Sequence, residues 1–171
     1  MRLVALAYLL ACFVVVCRAE EKKLVELNSV RLYLPDDTLR QRIGNDSSPL
    51  ADYIKSLQKE AALFWEKAEP PKAKGVLIAV GVKQDKKSRI WCDAVDGEIS
   101  AEALAKMEKK LGEVPAIAVK KGPIAFAVEI NLQGQKPEKF PEMPKAWVEA
   151  AKKSKEPLMF PDELFKIVWA D

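Results

Sequence analysis

The feature that most constrains the fold is an uninterrupted apolar run of eight residues, GVLIAVGV, at positions 75–82. The run is rich in β-branched side chains and has no polar face, which predicts a central strand covered on both sides. A polar KQDKK turn follows it. Residues 88–95 then alternate, with Ile90 and Cys92 facing one way and Trp91 the other, as expected for a strand with two unlike faces. We therefore expect a β-hairpin in the centre of the chain.

Two further strands are predicted, one on each side of this hairpin in the sequence. Residues 122–132, GPIAFAVEINL, place Ile124 and every second residue after it on one face. Ala125 and Ala127 lie on the opposite face, where their small size predicts a closely packed neighbour. Residues 24–34, LVELNSVRLYL, form a mixed apolar run that predicts an edge strand.

Two amphipathic helices separate these strands. Ser48-Pro49 begins the first, because serine caps helix starts and proline is tolerated in the first turn. Ser100 is the corresponding cap of the second helix, and Gly112 is its predicted C-terminal cap. Apolar residues recur at helical spacing in both: Leu50, Tyr53, Ile54, Leu57, Ala61 and Phe64, then Ala103, Leu104, Met107 and Leu111. Prolines punctuate the remaining sequence, which predicts short helices at 145–153 and 162–170.

The predicted fold class is therefore α+β. We expect an antiparallel sheet of three or more strands with packed helices, in the core order α-β-β-α-β, followed by a Pro-punctuated C-terminal helical appendage. One domain, residues 20–171 with its core at about 47–132, is the natural count for a chain of this length.

Residues 1–19 predict a secretory signal peptide. Arg2 supplies a basic start, and residues 3–17 carry no charge. As a helix rising 1.5 Å per residue, this run would be about 22 Å long, short of the roughly 30 Å hydrocarbon core of a membrane. Cleavage after Ala19 would place Cys17 and Ala19 at the two positions that require small side chains. The mature protein is then expected to be periplasmic or secreted.

Two other interpretations of this leader stay open. Leu9-Leu10-Ala11-Cys12 resembles a lipoprotein box, in which Cys12 would carry lipid, although the apolar run continues past that cysteine where a polar tether is expected. An uncleaved leader would instead anchor the chain. Membrane contact is therefore predicted only for a lipidated Cys12 or an uncleaved leader.

Removal of the leader would leave a nearly neutral protein with one thiol. Of the 28 basic residues, Arg2 and Arg18 lie in the leader, which leaves 26 against 25 acidic residues. This balance predicts no strong field toward nucleic acid. Cys12 and Cys17 would also be removed, so Cys92 has no intramolecular disulfide partner and the domain must be held together by burial.

One stretch of the chain resembles a known family. The matching features, in chain order, are Pro70-Pro71 at a helix end, the strands 75–80 and 89–95, the helix 99–111, Pro115, and Gly122-Pro123 before the strand 124–132. In this arrangement residues 47–132, about half of the chain, resemble the C-terminal domain of TonB-type energy-transducing proteins. The tyrosine–proline pair that usually opens such a domain is Tyr53-Ile54 here. The resemblance implies a periplasmic module that docks other proteins or recruits them by strand addition.

The chain contains no histidine, which excludes Ser-His-Asp and Cys-His catalysis and histidine-based zinc sites. Cys92 is the candidate nucleophile of the mature chain, and it would need a nearby cation such as Arg89 or Lys87 to lower its pKa. Its alignment with Ile90 and Ala94 on an inward strand face instead favours a buried, inert thiol.

Paired carboxylates offer a second possible chemistry. Asp93/Asp96 and Asp36/Asp37 could act as acid and base. The first pair falls at a strand end and the second after Pro35, which are ordinary turn and cap positions. We therefore assign no catalytic, cofactor or metal residues from the sequence.

Three tryptophans are the candidate recognition residues. Trp91, Trp147 and Trp169 would mark a binding surface if exposed, because tryptophan is enriched at binding hot spots. Alternatively, the C-terminal appendage folds back on the sheet and buries them.

The sequence thus predicts an exported, non-catalytic binding or accessory protein of the cell envelope that needs no cofactor and contacts another envelope protein. The alternative is a small histidine-free enzyme or a thiol-dependent factor that uses Cys92.

Overall fold

The computed structural model describes residues 24–69, 71–154 and 160–169. The predicted leader, including Cys12 and Cys17, lies outside these residues. The helices and strands, in chain order, are β1 (Val25–Leu32), α1 (Asp36–Ile43), α2 (Ser48–Lys67), β2 (Gly75–Val82), β3 (Ser88–Val95), α3 (Ala101–Gly112), β4 (Ile124–Leu132), α4 (Lys145–Lys153) and α5 (Asp162–Val168).

The four strands form one sheet in the order β1-β4-β2-β3, and every neighbouring pair is antiparallel. The predicted α+β fold with an antiparallel sheet is therefore confirmed. All residues of β2 and β4 are buried, as the apolar run at 75–82 required. The hairpin of β2 and β3 forms one side of the sheet, and β1 lies at the opposite edge, where the mixed pattern of residues 24–34 predicted it.

Helices α2 and α3 cover one face of the sheet. The buried stripe of α2 follows helical spacing through Leu50, Tyr53, Leu57, Ala61 and Trp65. These side chains pack against the alternate apolar residues of the strands in the larger of the buried clusters. The sequence placed Phe64 in this stripe, but Trp65 continues it and Phe64 lies at its flank, half-buried.

The C-terminal helices cover the opposite face with aromatic side chains. Trp91, Trp147, Phe165 and Trp169 pack there against alanines of the central strands, with ring centroids between 5.1 and 6.3 Å apart. The small strand residues leave the room that these rings need. At Gly81, an added Cβ would lie 2.7 Å from the Phe165 ring. The small residues of the strands therefore do mark a closely packed neighbour.

Three local details differ from the sequence predictions. Residues 36–43 form α1, with two aspartates in its first turn after Pro35, where acidic residues favour a helix start. Ser47 occupies the N-cap position of α2, and the carboxylate of Asp46 accepts a hydrogen bond from the Ser48 N–H at 2.9 Å. Gly112 is the last residue of α3, and its C-cap is Glu113. Ser100 caps α3 as predicted, by accepting from the Ala103 N–H.

No helix in the described ranges is both long enough and apolar enough to cross a membrane.

Candidate functional site

A surface concavity lies between helices α2 and α3, on the side of the molecule away from the aromatic face. It is a cleft of about 970 Å³. We call it, together with its extension described below, the α2–α3 groove. The two helices lie against the same sheet face, and each turns only part of its apolar stripe toward the strands. The remaining apolar side chains are left between the two helices.

One wall of the groove is a single face of α2. Glu60, Leu63, Phe64 and Lys67 follow the i, i+3, i+4, i+7 spacing that puts residues on one side of a helix. Leu63 is 36% exposed. The ring of Phe64 lies edge-on to Trp65, with centroids 5.0 Å apart. The apolar part of this wall is therefore aromatic and partly open to solvent.

The other wall is formed by α3 and the turn that precedes it. Ile99 and Ala103 supply its apolar part, and both are half-buried. The end of the groove is closed by Pro71 and Lys72, which run over the turn at Gly97. A Cβ on Gly97 would lie only 2.2 Å from the Lys72 carbonyl oxygen, and its φ is +144°, so this crossing requires glycine.

Charged side chains of both signs line the rim. The basic ones are Lys67, Lys72, Lys106 and Lys110, and the acidic ones are Glu60, Glu69, Glu98 and Glu102. Lys106 pairs with Glu102 at 2.6 Å, and this hydrogen bond lowers the pKa of the Glu102 carboxyl. Lys110 pairs with Glu113 at 2.7 Å, which raises the pKa of the lysine. Both pairs stay ionised at neutral pH, so the groove is apolar inside and charged with mixed sign outside.

A second cleft of about 620 Å³ adjoins the first, between α2 and the segment that follows α3. Glu60 and Lys110 border both clefts, and farther on the second is lined by Tyr53, Val114 and Pro115. The twelve residues of α3 span about 18 Å at 1.5 Å per residue. The α2–α3 groove therefore consists of two adjoining clefts, one on each side of Glu60 and Lys110. This arrangement suits a chain segment better than a compact small molecule.

The floor of the larger cleft contains an unpaired donor. Trp65 is 2% exposed and lines the cleft. Its indole Nε1 has no hydrogen-bond partner among the described residues. A buried N–H without an acceptor is unfavourable, and the indole Nε1 of Trp147, in the aromatic cluster on the opposite face, is in the same state.

Cys92 lies on the inward face of β3, toward α2 and α3, and is 6% exposed. Burial raises its pKa well above the usual value, and the neighbouring carboxylates of Glu108 and Asp93 raise it further. The thiol therefore stays protonated at neutral pH. The pKa shift is upward, opposite to the lowering that Arg89 or Lys87 would have to produce for a reactive thiolate.

The three tryptophans chosen from the sequence are brought together, but in the core. Trp91, Trp147 and Trp169 are 7%, 0% and 9% exposed and belong to the buried cluster under α4 and α5. The Trp91 ring centroid lies 5.1 Å from that of Trp147 and 6.3 Å from that of Trp169. They hold the C-terminal helices to the sheet and present no recognition surface.

The paired aspartates also have structural partners. Asp93 Oδ2 accepts a hydrogen bond from the Lys145 N–H at 2.8 Å, and Asp96 Oδ2 accepts one from the Glu138 N–H at 2.7 Å. These bonds tie the segment before α4 to the end of β3. Asp36 lies in the first turn of α1.

Sequence reasoning did not identify a buried carboxylate at the opposite edge of the sheet. Glu129 of β4 is 4% exposed. It accepts hydrogen bonds from Asn28 Nδ2 at 3.1 Å, Ser29 Oγ at 2.6 Å and Arg31 at 2.5 Å. Three donors from β1 satisfy this carboxylate, so we interpret the Glu129 cluster as the anchor of that strand. Its signal in the sequence is the one charged residue inside the otherwise uncharged run IAFAVEINL.

Within the described residues, no group of three or more metal-binding side chains comes together. Comparison with protein-family models, with curated proteins and with solved structures gives no match.

Sequence reasoning also missed the groove itself. It assigned Phe64 to the core and did not consider Leu63 or Trp65. The signal available was the width of the α2 stripe: Leu63, Phe64 and Trp65 are consecutive apolar residues, more than one buried face of a helix accommodates.

Proposed function

We propose that the protein is an exported, non-catalytic binding protein of the cell envelope, periplasmic or secreted, that holds a segment of another envelope protein in the α2–α3 groove. The observation that carries the proposal is the pair of adjoining clefts beside α2 and α3, with their apolar interior and charged rim. The resemblance to TonB-type domains stays a prediction and does not define this surface.

The chemistry of the walls specifies the segment. Leu63 and Phe64 on one side and Ile99 and Ala103 on the other favour apolar side chains along one face of the ligand. The rim has equal numbers of lysines and glutamates, so residues of both signs beside that face would find a partner. An amphipathic helix in a groove is the recognition mode with these properties.

The test is capture from an envelope extract on the immobilised protein, with each variant run beside the wild type. Leu63→Asp puts a charge into the apolar wall and is expected to weaken capture of the partner at least about 10-fold. Ile167→Asp is the matched control, because Ile167 is an exposed apolar residue of α5 outside the groove. Support requires a captured protein that Leu63→Asp loses and Ile167→Asp retains. Equal capture by both variants would overturn the proposal.

The thiol alternative is separated by one substitution. Cys92→Ser removes the thiol without changing the groove. On the present proposal this variant captures the same partner as the wild type, whereas a thiol-dependent factor would lose its activity.

A further inference from the structure

The outer edge of β1 has backbone groups that point away from the sheet. The Tyr33 N–H donates to the Ala125 carbonyl at 3.2 Å, and the Gln133 N–H donates to the Leu24 carbonyl at 2.8 Å. Along an antiparallel strand, every second residue directs its backbone N–H and C=O groups toward the neighbouring strand. Tyr33 bonds β4, so Leu32 and then Val30 direct these groups outward. No described residue lies in hydrogen-bonding position beyond them.

A β-bulge changes which residues face outward in the first half of the strand. The register with β4 shifts between Leu27 and Ser29, so Asn28 is an extra residue. Counting forward from Leu24, the outward backbone groups belong to Val25 and Leu27. The outward residues are thus odd-numbered before the bulge and even-numbered after it.

The same four residues form an apolar row on one face. Val25, Leu27, Val30 and Leu32 lie opposite alternate apolar residues of β4, and opposed residues of antiparallel strands share a face. Leu27 is 49% exposed and Leu32 is 43% exposed. A strand edge that no described residue pairs with, and that has half-exposed leucines, is a ready template for another strand.

We infer that the partner of this edge is a second copy of the chain, paired antiparallel through β1 about a two-fold axis between Asn28 and Ser29. In this register Leu27 lies opposite Val30 of the other copy. The outward residues at the two ends of the strand likewise lie opposite each other. This register depends on the bulge. Because of the bulge, residues whose backbone groups point outward in one copy lie opposite residues whose backbone groups point outward in the other, in both halves of the strand.

Charge favours a second copy over an unrelated strand. The register places Glu26 opposite Arg31 of the other copy, twice by symmetry, and these are the two charged residues of β1. Glu26 is exposed. Arg31 donates from NH1 to the Pro141 carbonyl and from NH2 to Glu129, and its side chain is 32% exposed. A guanidinium has five donors, so Arg31 has donors left for a second carboxylate. The interface lies outside the α2–α3 groove, and the inference goes beyond the proposed function.

The test is sedimentation velocity on the protein purified after expression of the whole chain, with its amino terminus read by mass spectrometry, over a series of concentrations. The wild type is expected to show a reversible monomer–dimer equilibrium. Leu27→Lys puts a charge on the apolar row and should raise the dimer Kd at least about 10-fold. Glu26→Arg turns both cross-strand ion pairs into like-charge pairs and should raise it about 10- to 30-fold.

Ile167→Lys is the matched control, because Ile167 has the same 49% exposure as Leu27 but lies on α5. It should leave the equilibrium unchanged. Thermal unfolding monitored for each variant shows that the fold is kept, as expected for exposed positions. A wild type that stays monomeric at every concentration would overturn the inference. So would a dimer that Leu27→Lys and Glu26→Arg leave intact. Loss of partner capture in Leu63→Asp is independent of both outcomes.

Discussion

At the β3 edge of the sheet, a side chain of the neighbouring helix accepts a hydrogen bond from a backbone N–H that points away from the sheet. At the β1 edge, polar side chains instead bind a residue of the adjacent strand. Glu108 of α3 accepts a hydrogen bond from the Cys92 N–H at 2.8 Å. On β1, Ser29 and Arg31 instead bind the buried Glu129 of the adjacent strand. A helix side chain thus binds one outward group of β3, whereas β1 is anchored from within, so that within the described residues the outer side of β1 is available for pairing.

The inward anchor of β1 gives the largest expected effect. Glu129→Ala removes the acceptor of three donors, and it leaves Arg31 partly buried without its carboxylate. Loss of a partner in a buried charged network is costly, so we expect the free energy of unfolding in urea to fall by about 2–4 kcal/mol. Glu129→Gln is the control: it keeps one acceptor oxygen and should lose less. Equal stability of Glu129→Ala and the wild type would show that β1 is held by its apolar row alone.

The hydrogen bond between Glu108 and the β3 edge gives a smaller effect. Glu108→Ala leaves the backbone N–H of Cys92 without an acceptor, which should cost about 1–2 kcal/mol of unfolding free energy. Glu108→Gln retains an oxygen at the same place and should stay close to the wild type. Because β3 would then open more readily, the Cys92 thiol should react faster with a water-soluble disulfide reagent in Glu108→Ala than in Glu108→Gln. The same rate in both variants would contradict a protective role for Glu108.

Much of this sheet could be predicted from the sequence, because the pattern of apolar side chains in β2, β3 and β4 indicates which residues of each strand are buried. The alternation in residues 88–95 placed Cys92 and Trp91 on opposite faces, where the structure has them. Strand order could not be predicted in the same way. The β1–β4 pairing joins residues about 100 positions apart, as in the bond from Ser29 to Glu129, and no local pattern specifies that contact.

The α2–α3 groove was unpredictable for a related reason. Periodicity identifies which residues of a helix are apolar, but the gap between two helices depends on how both lie on the sheet. Phe64 and Trp65 are neighbours in α2, yet Trp65 is buried and Phe64 flanks the cleft. Which of the two enters the core is decided by the direction of the helix over the strands, a property of the whole fold.

The end of β1 allows the mildest test of the comparison, because its readout is the slope of the unfolding free energy against pH in the alkaline range. Tyr33 follows the strand, donates from its hydroxyl to the Glu142 carbonyl at 2.8 Å, and lies edge-on to Trp147. Burial raises its pKa from 10.0 to about 12, with Arg31 opposing and Glu129 adding to the shift. Since the folded protein holds the phenol proton more tightly than the unfolded chain, the stabilisation is fully present below pH 10 and is lost as the pH rises toward 12. Tyr33→Phe should therefore show a shallower decline in unfolding free energy over this pH range than the wild type. A decline as steep as that of the wild type would mean that the strand end is not anchored through this ring.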